Sequence, residues 1–232
     1  MRCLTRRSKN TLRHRSFALT VTRADHNLRC AGFASFAQGP YQVFGTAGFN
    51  NNAKSFGAGF GFGGAGPFGE VSLGTTNYDN IDGSSTLFGG GLGYQVTLGQ
   101  KGIVHLCPTA SLGFASGPNN LDVFGDGSVV LDLSETDVSF GLELGVLASG
   151  SNPTQIIPVA SLGVVNATAK ASDQVSGTSQ SNTQTFGMLE LGLGFVFNHV
   201  VTFRPIVAIP IGLDGGVTSF GATVSVNFGK PR

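Results

Sequence analysis

Thr86-Leu-Phe-Gly-Gly-Gly-Leu-Gly-Tyr-Gln-Val-Thr-Leu98, then Gly-Gln-Lys-Gly, then Ile103-Val-His-Leu-Cys-Pro-Thr-Ala-Ser-Leu-Gly-Phe114, is the stretch that decides the fold. In its first arm Phe88, Leu92, Tyr94, Val96 and Leu98 share one face with Gly90, while Gly89, Gly91, Gly93, Gln95 and Thr97 share the other. In its second arm Val104, Leu106, Ala110, Leu112 and Phe114 lie on one side with Pro108, and His105, Cys107, Thr109, Ser111 and Gly113 lie opposite. Successive side chains of a strand point to opposite faces, so a period of two sustained over both arms predicts a hairpin turned at Gly99–Gly102. The arms are longer than the roughly 5–6 residues usual in soluble sheets and suit the roughly 9–11 residues of a tilted strand crossing a bilayer. A bulky apolar face set against a small, polar one is the pattern of a barrel wall with lipid outside and a narrow interior.

The whole chain reads the same way. It has 232 residues, of which 36 are Gly and 19 Phe, none is Trp, and only 12% are charged. Glycine at that level disfavours helices. The sequence has no apolar run near the ~18 residues that would mark a spanning helix. The small net charge of +1 hides an asymmetry. Arg2, Arg6, Arg7, Lys9, Arg13, Arg15, Arg23 and Arg29 face one acid, Asp25, in the leader, while from Gln38 onward acids outnumber bases twelve to six. Nothing in that body reads as a nucleic-acid surface. Cys3, Cys30 and Cys107 have no pairing or metal-ligand spacing.

Residues 1–37 form the leader, and 38–232 the barrel domain. The leader has a basic start, a short apolar piece at Ser16–Val21 and small residues at Ser35 and Ala37, which are the parts of a signal peptide cleaved after Ala37. Arg23, Asp25, His26 and Arg29 interrupt its apolar centre, so a transit-like leader or an upstream-extended start are the other readings.

The alternation predicts ten strands: 41–49, 54–63, 68–78, 86–98, 103–114, 138–146, 154–165, 183–198, 201–213 and 217–228. An eight-stranded barrel follows if two of these are loop hairpins. Connections after the second, fourth, sixth and eighth strands are short, while 77–84, 117–135 and 166–182 read as longer polar loops. Short inner turns, long outer loops and both ends on the inner side make a closed, antiparallel, up-and-down transmembrane β-barrel. Pro108, Pro158, Pro205 and Pro210 fall inside strands and cannot donate to the ladder, so bulges near the inner rim are expected there. Cys107-Pro-Thr-Ala-Ser-Leu-Gly-Phe114 matches Ile157-Pro-Val-Ala-Ser-Leu-Gly-Val164, and Arg204-Pro-Ile-Val-Ala-Ile-Pro-Ile211 echoes both. Duplication and convergent strand composition both account for that.

With the apolar row outward, Phe88, Leu92, Tyr94, Val96, Leu112, Leu191, Leu193 and Phe195 face lipid. The inward row then carries Glu70, His105, Glu143, Glu190, Arg204, Gln95 and Gln42. Charges in a low-dielectric wall are costly unless paired, so their shared parity argues for a wet or hydrogen-bonded interior. Two readings follow: an internal salt-bridge network that plugs the barrel, or a selectivity lining for a narrow pore. Catalysis is not expected. A protease of the omptin type, also ten-stranded, needs acidic and His pairs at the outer lip, whereas His105 and His199 lie at the inner end and His14 and His26 in the leader. Asp122, Asp126, Asp132, Glu135 and Asp137 cluster around the 117–135 loop without Ca²⁺-loop spacing, so a solvated loop is expected, with neither metal nor cofactor. Gly-rich 56–69 is followed by no helix and is not a phosphate cradle.

The Gly-alternating strands, the proline-bearing upstrokes and the last strand, Gly221-Ala-Thr-Val-Ser-Val-Asn-Phe228, together resemble the bacterial outer-membrane β-barrel superfamily, small barrels of the outer-membrane-protein-A and porin-like type. Gly229-Lys-Pro-Arg232 after the aromatic departs from that pattern. The resemblance covers about 38–229. It implies residence in the bacterial outer membrane, a lipid bilayer as partner, insertion by the barrel-assembly machinery, a monomer, and a structural or narrow-pore role. A soluble ligand-binding barrel with the apolar face inside, or a membrane-barrel enzyme, are the alternatives.

Overall fold

The computed structural model describes residues 40–63, 66–79, 83–98, 103–122, 127, 129–151 and 154–229. The expected leader 1–37 with its cleavage site, Cys3, Cys30, the Gly99–Gly102 turn and Asp126 lie outside the described residues. Ten strands build the wall: β1 (Tyr41–Phe49), β2 (Ala53–Gly63), β3 (Pro67–Tyr78), β4 (Ser84–Tyr94, resumed at Val96–Leu98), β5 (Val104–Ser116), β6 (Val130–Val146), β7 (Thr154–Asp173), β8 (Ser179–Phe197), β9 (Val201–Ile211) and β10 (Ser219–Phe228). Each pairs antiparallel with the next, and β1 pairs with β10 from Tyr41↔Phe228 to Phe49↔Phe220, so the sheet closes. Closure disposes of the eight-stranded alternative.

Two expected loops contain strand. Residues 166–182 form the outer part of one long hairpin, with Asn166↔Thr185 and Ser172↔Ser179 in register. Likewise β6 begins at Val130, within the expected loop 117–135, and pairs with β7 up to Leu131↔Asp173. The Ser, Thr, Asn and Gln of residues 178–185 show no apolar alternation, because 179–183 and Thr185 are exposed whichever face they are on. Backbone pairing, with side-chain hydrogen bonds such as that between the Thr168 and Thr183 hydroxyls, carries the ladder there, and a hydrophobic-periodicity rule does not register it.

The prolines correct a second expectation. Pro108 and Pro205 leave the register unbroken: β4 and β5 keep one register across the gap between Gly93↔Thr109 and Val96↔Leu106. The β8–β9 ladder does the same between Gly192↔Ile206 and Phe195↔Phe203. Each proline turns its missing N–H to one ladder and stays paired in the other, as Pro108↔Leu142 and Pro205↔Ala222 show. Pro158 does face a bulge: β7 pairs Val159↔Gly145 but Ile156↔Ser149, which leaves one extra residue on the partner side. Pro210 lies at the outer end of β9, beyond its last pair with β10 at Ala208↔Ser219.

The turns are local chemistry. Asn50 Oδ1 accepts from the N–H groups of Asn52 and Ala53 at 2.8 and 3.0 Å, closing β1–β2. Asn198 and His199 both take positive φ, 50° and 59°, in the tight inner turn between β8 and β9.

Sidedness follows the alternation. The outer surface carries Phe88, Phe140, Leu142, Leu162, Leu191 and Val224, with Leu92 at 64% and Phe140 at 65% exposure. This overturns the soluble-barrel alternative, which requires those side chains inside. Aromatic rings gather at both ends of the apolar band. Tyr41, Phe60 and Phe228 cluster at the inner end with centroids 5.9–6.5 Å apart, and Phe49 stacks on Phe220 at the outer end at 5.8 Å. Paired aromatic belts around an apolar band mark the two water interfaces of a barrel.

Candidate functional site in the barrel lumen

Every charged or amide side chain expected on the inward row is buried there: Gln42, Glu70, Gln95, His105, Glu143 and Arg204, with Glu190 half-buried. Of the expected lipid-facing set, Phe88, Leu92, Tyr94, Val96, Leu112 and Leu191 are exposed, and Leu193 and Phe195 are partly covered on the same outward face. Strand register sets the neighbours. Glu143 on β6 stands beside Ser161 on β7, and Ser161 beside Glu190 on β8. Ser161 Oγ donates to Glu190 Oε2 at 3.2 Å. From β9, with β7 and β8 between, Arg204 reaches Glu143, Nη1 to Oε1, at 3.4 Å. This ion pair crosses the interior.

Hydrogen bonds between strands tie the rest of the polar row. Gln95 Nε2 and Thr97 Oγ1 lie 2.9 and 3.2 Å from His105 Nδ1. Gln42 Nε2 donates to Ser225 Oγ at 2.6 Å, across the closing seam of β1 and β10. Ser111 and Ser139 hydroxyls meet at 2.5 Å, and Tyr78 and Ser85 at 2.9 Å.

The lumen also holds residues that the sequence reading did not place there. Glu135 and Asp137, expected in a solvated loop, are buried on the inward side of β6. The Asp137 carboxylate lies over Gly113, within 2.7–2.8 Å of where a Cβ would stand. Their parity with Ser139, Gly141 and Glu143 was the available signal. Large apolar side chains were missed as well. Phe68, Cys107, Ile157, Val159 and Val196 pack together at the inner end with Leu147, drawn from β3, β5, β7, β8 and the segment after β6. At the outer end Leu133 of β6 packs on Ala53 and Tyr78 of β2 and β3, again across the lumen. The inward glycines serve this filling. The Phe68 ring occupies the space a Cβ on Gly93 would need, and the Phe44 ring that of Gly59. Cys107 is disulfide-bonded, a pairing that the spacing of the cysteines did not indicate; the chain's two other cysteines lie outside the described residues.

Among the described residues, no group of three His, Cys, Asp or Glu is placed to hold a metal ion. Arg204 is the sole inward Lys or Arg among them, against five inward carboxylates: Glu70, Glu135, Asp137, Glu143 and Glu190. The arrangement can do one of two things: lock the wall across its interior, or present a cation-attracting lining.

No protein-family model and no curated protein matches the chain. Among solved structures, it is similar to the N-terminal β-barrel domain of Pseudomonas aeruginosa OprF at 13% identity, covering 83% of this chain and 99% of that one, with TM-score 0.34. It is similar to Ail, the attachment invasion locus protein of Yersinia pestis, at 13% identity over 81% and 96%, with TM-score 0.39. The translocator domain of the autotransporter NalP from Neisseria meningitidis is similar at 13% identity over 95% and 95%, with TM-score 0.42. Likeness at that level adds no weight of its own, and the chain's own architecture carries the assignment. A closed antiparallel barrel of ten strands whose outer surface is an apolar band is the bacterial outer-membrane design.

Proposed function

We propose that this outer-membrane barrel is a closed-lumen structural protein, in which the membrane part anchors the outer β6–β7–β8 sheet, and that it is not a solute channel. The observation that supports this best is the apolar layer of Phe68, Cys107, Ile157, Val159 and Val196 at the inner end. Conduction needs a continuous wet path lined by polar groups, and an apolar layer drawn from four strands interrupts it. The Arg204–Glu143 pair and the Leu133–Tyr78 contact add two further crossings. The role is non-enzymatic in this reading, because the titratable groups are spread down the lumen and do not converge at one lip. It includes insertion by the barrel-assembly machinery, with β10 and its terminal Phe228 as the segment read, and a monomeric state.

Single-channel recording of the refolded protein in planar bilayers tests it. A silent bilayer is expected; steady ohmic steps would sink the reading. A narrow, porin-like pore is the second reading, favoured by the five inward carboxylates. It requires cation-selective steps that Glu143→Gln weakens.

A further inference from the structure

Among the described residues, the outer half of β8 has one partner strand. Residues 179–185 pair with β7, from Ser179↔Ser172 to Thr185↔Asn166. Pairing of β8 with β9 begins only at Gly187↔Ile211. Residues 179–183 and Thr185 are exposed, and no backbone bond outside the β7 ladder reaches 179–186 among the described residues. A row of backbone N–H and C=O groups therefore points away from the barrel into water, beyond the membrane.

The other edge of the same sheet is treated differently. The outer end of β6 is covered: Leu121↔Leu131 and Asp122↔Val130 add a short strand to it. Gly117 N–H donates to Leu133 O at 2.8 Å, and Leu133 N–H to Pro118 O at 3.2 Å. Edges that must stay single are usually blunted by charge, proline, a bulge or a covering segment. Among the described residues, the β8 edge has none of these. No Asp, Glu, Lys, Arg or Pro occurs from Gln174 to Leu189, and the β7–β8 register runs through without a slip.

We propose that residues 179–186 are a docking edge for an extended polypeptide segment of another protein outside the cell. That segment is uncharged, rich in Ser, Thr, Asn and Gln, and added antiparallel as a further strand. Its backbone bonds supply the attachment, as in strand addition to other open sheets. The side-chain chemistry is set by the edge. Thr168 and Thr183 hydroxyls meet at 2.9 Å, and Asn166 Nδ2 donates to Thr185 Oγ1 at 2.8 Å across the existing ladder. A hydroxyl- and amide-bearing strand repeats those contacts on the open side, whereas residues 174–189 offer a charged one no counter-ion. A second copy in the same membrane fits poorly. Two barrels related about the membrane normal keep their strands running in the same sense, and strands tilted by about 35–45° then cross instead of lying alongside. The proposal does not depend on whether the lumen conducts.

The test uses the full chain in lipid nanodiscs with residue-resolved amide exchange. The probe is a synthetic peptide with the sequence of residues 178–185, which contains only Thr, Ser, Gln and Asn. In the free protein, alternate amides of 179–185 are expected to exchange fast, and those facing β7 slowly. Peptide at about ten times its dissociation constant should slow the fast set about tenfold. A version with proline at alternate positions should not. The double substitution Asn182→Lys and Gln184→Lys should abolish the slowing while leaving the β7-facing amides and the heat-modifiable gel shift unchanged. Three results would overturn the proposal: uniform protection of 179–185 before peptide is added, slowing that follows protein concentration instead of peptide, or equal slowing by the proline version.

Discussion

Arg204 Nη1 lies 3.4 Å from Glu143 Oε1, both side chains all but fully buried, and the contact spans the lumen from β9 to β6. A buried charge whose partner is removed stays buried, which is why such pairs are costly to break singly. Arg204→Met or Glu143→Gln alone should each destabilise the barrel by about 3–5 kcal/mol, while replacing both by apolar residues of similar volume should cost far less. Denaturant unfolding of the two single variants and the double variant, followed by gel mobility, reads the difference. Equal costs in all three would show that the pair does not act as a unit.

Phe68 fills the space above Gly93, so a larger residue at 93 competes with the ring. Gly93→Val should cost about 1–3 kcal/mol through overpacking. Adding Phe68→Ala should return part of that loss, a non-additivity visible in the unfolding midpoint. Independent, additive effects would mean the ring does not sit there.

Leu92 is 64% exposed and lies partway along β4 in the apolar band, while Leu98 closes the same outward row at the inner end of that strand. Leu92→Arg on the lipid face should cost about 2–4 kcal/mol near the midplane, whereas Leu98→Arg at the inner water interface should cost about 0–1. Reversible folding into vesicles measures both. Tolerance of the Leu92→Arg substitution would contradict the sidedness on which the lipid assignment stands.

Asp173 ends β7 at the outer turn into β8, beyond the bilayer. The Ser176 hydroxyl donates to its carboxylate at 2.7 Å and the Val175 N–H at 3.0 Å, and these bonds hold its pKa below the ordinary Asp range. A depressed folded-state pKa contributes stability that is fully present above the unfolded-state value and is lost as pH falls through the folded one. The turn should therefore loosen only at strongly acidic pH. Ser176→Ala should raise the Asp173 midpoint in a carboxyl NMR titration and bring the loosening to higher pH; an unmoved midpoint would assign the effect to the backbone donor alone.

What the sequence by itself determined is sidedness and strand count. A bilayer outside and water or packed polar groups inside impose opposite chemistry on alternate residues. Phe88, Leu92 and Leu191 on one row, with Glu70, Glu143 and Arg204 on the other, could therefore be sorted from parity alone. Only the tertiary structure decided what fills the lumen and how far the sheet extends outside. Parity places Phe68, Gly93 and Ile157 on the inward row but cannot say that the ring of one lies in the hollow of the next or that four strands meet in one apolar layer. Nor did apolar alternation mark residues 166–182 as part of a hairpin, since a largely exposed ladder of Ser, Thr, Asn and Gln selects no apolar row. Those features come from cross-strand register and barrel closure, which pair residues far apart in the chain.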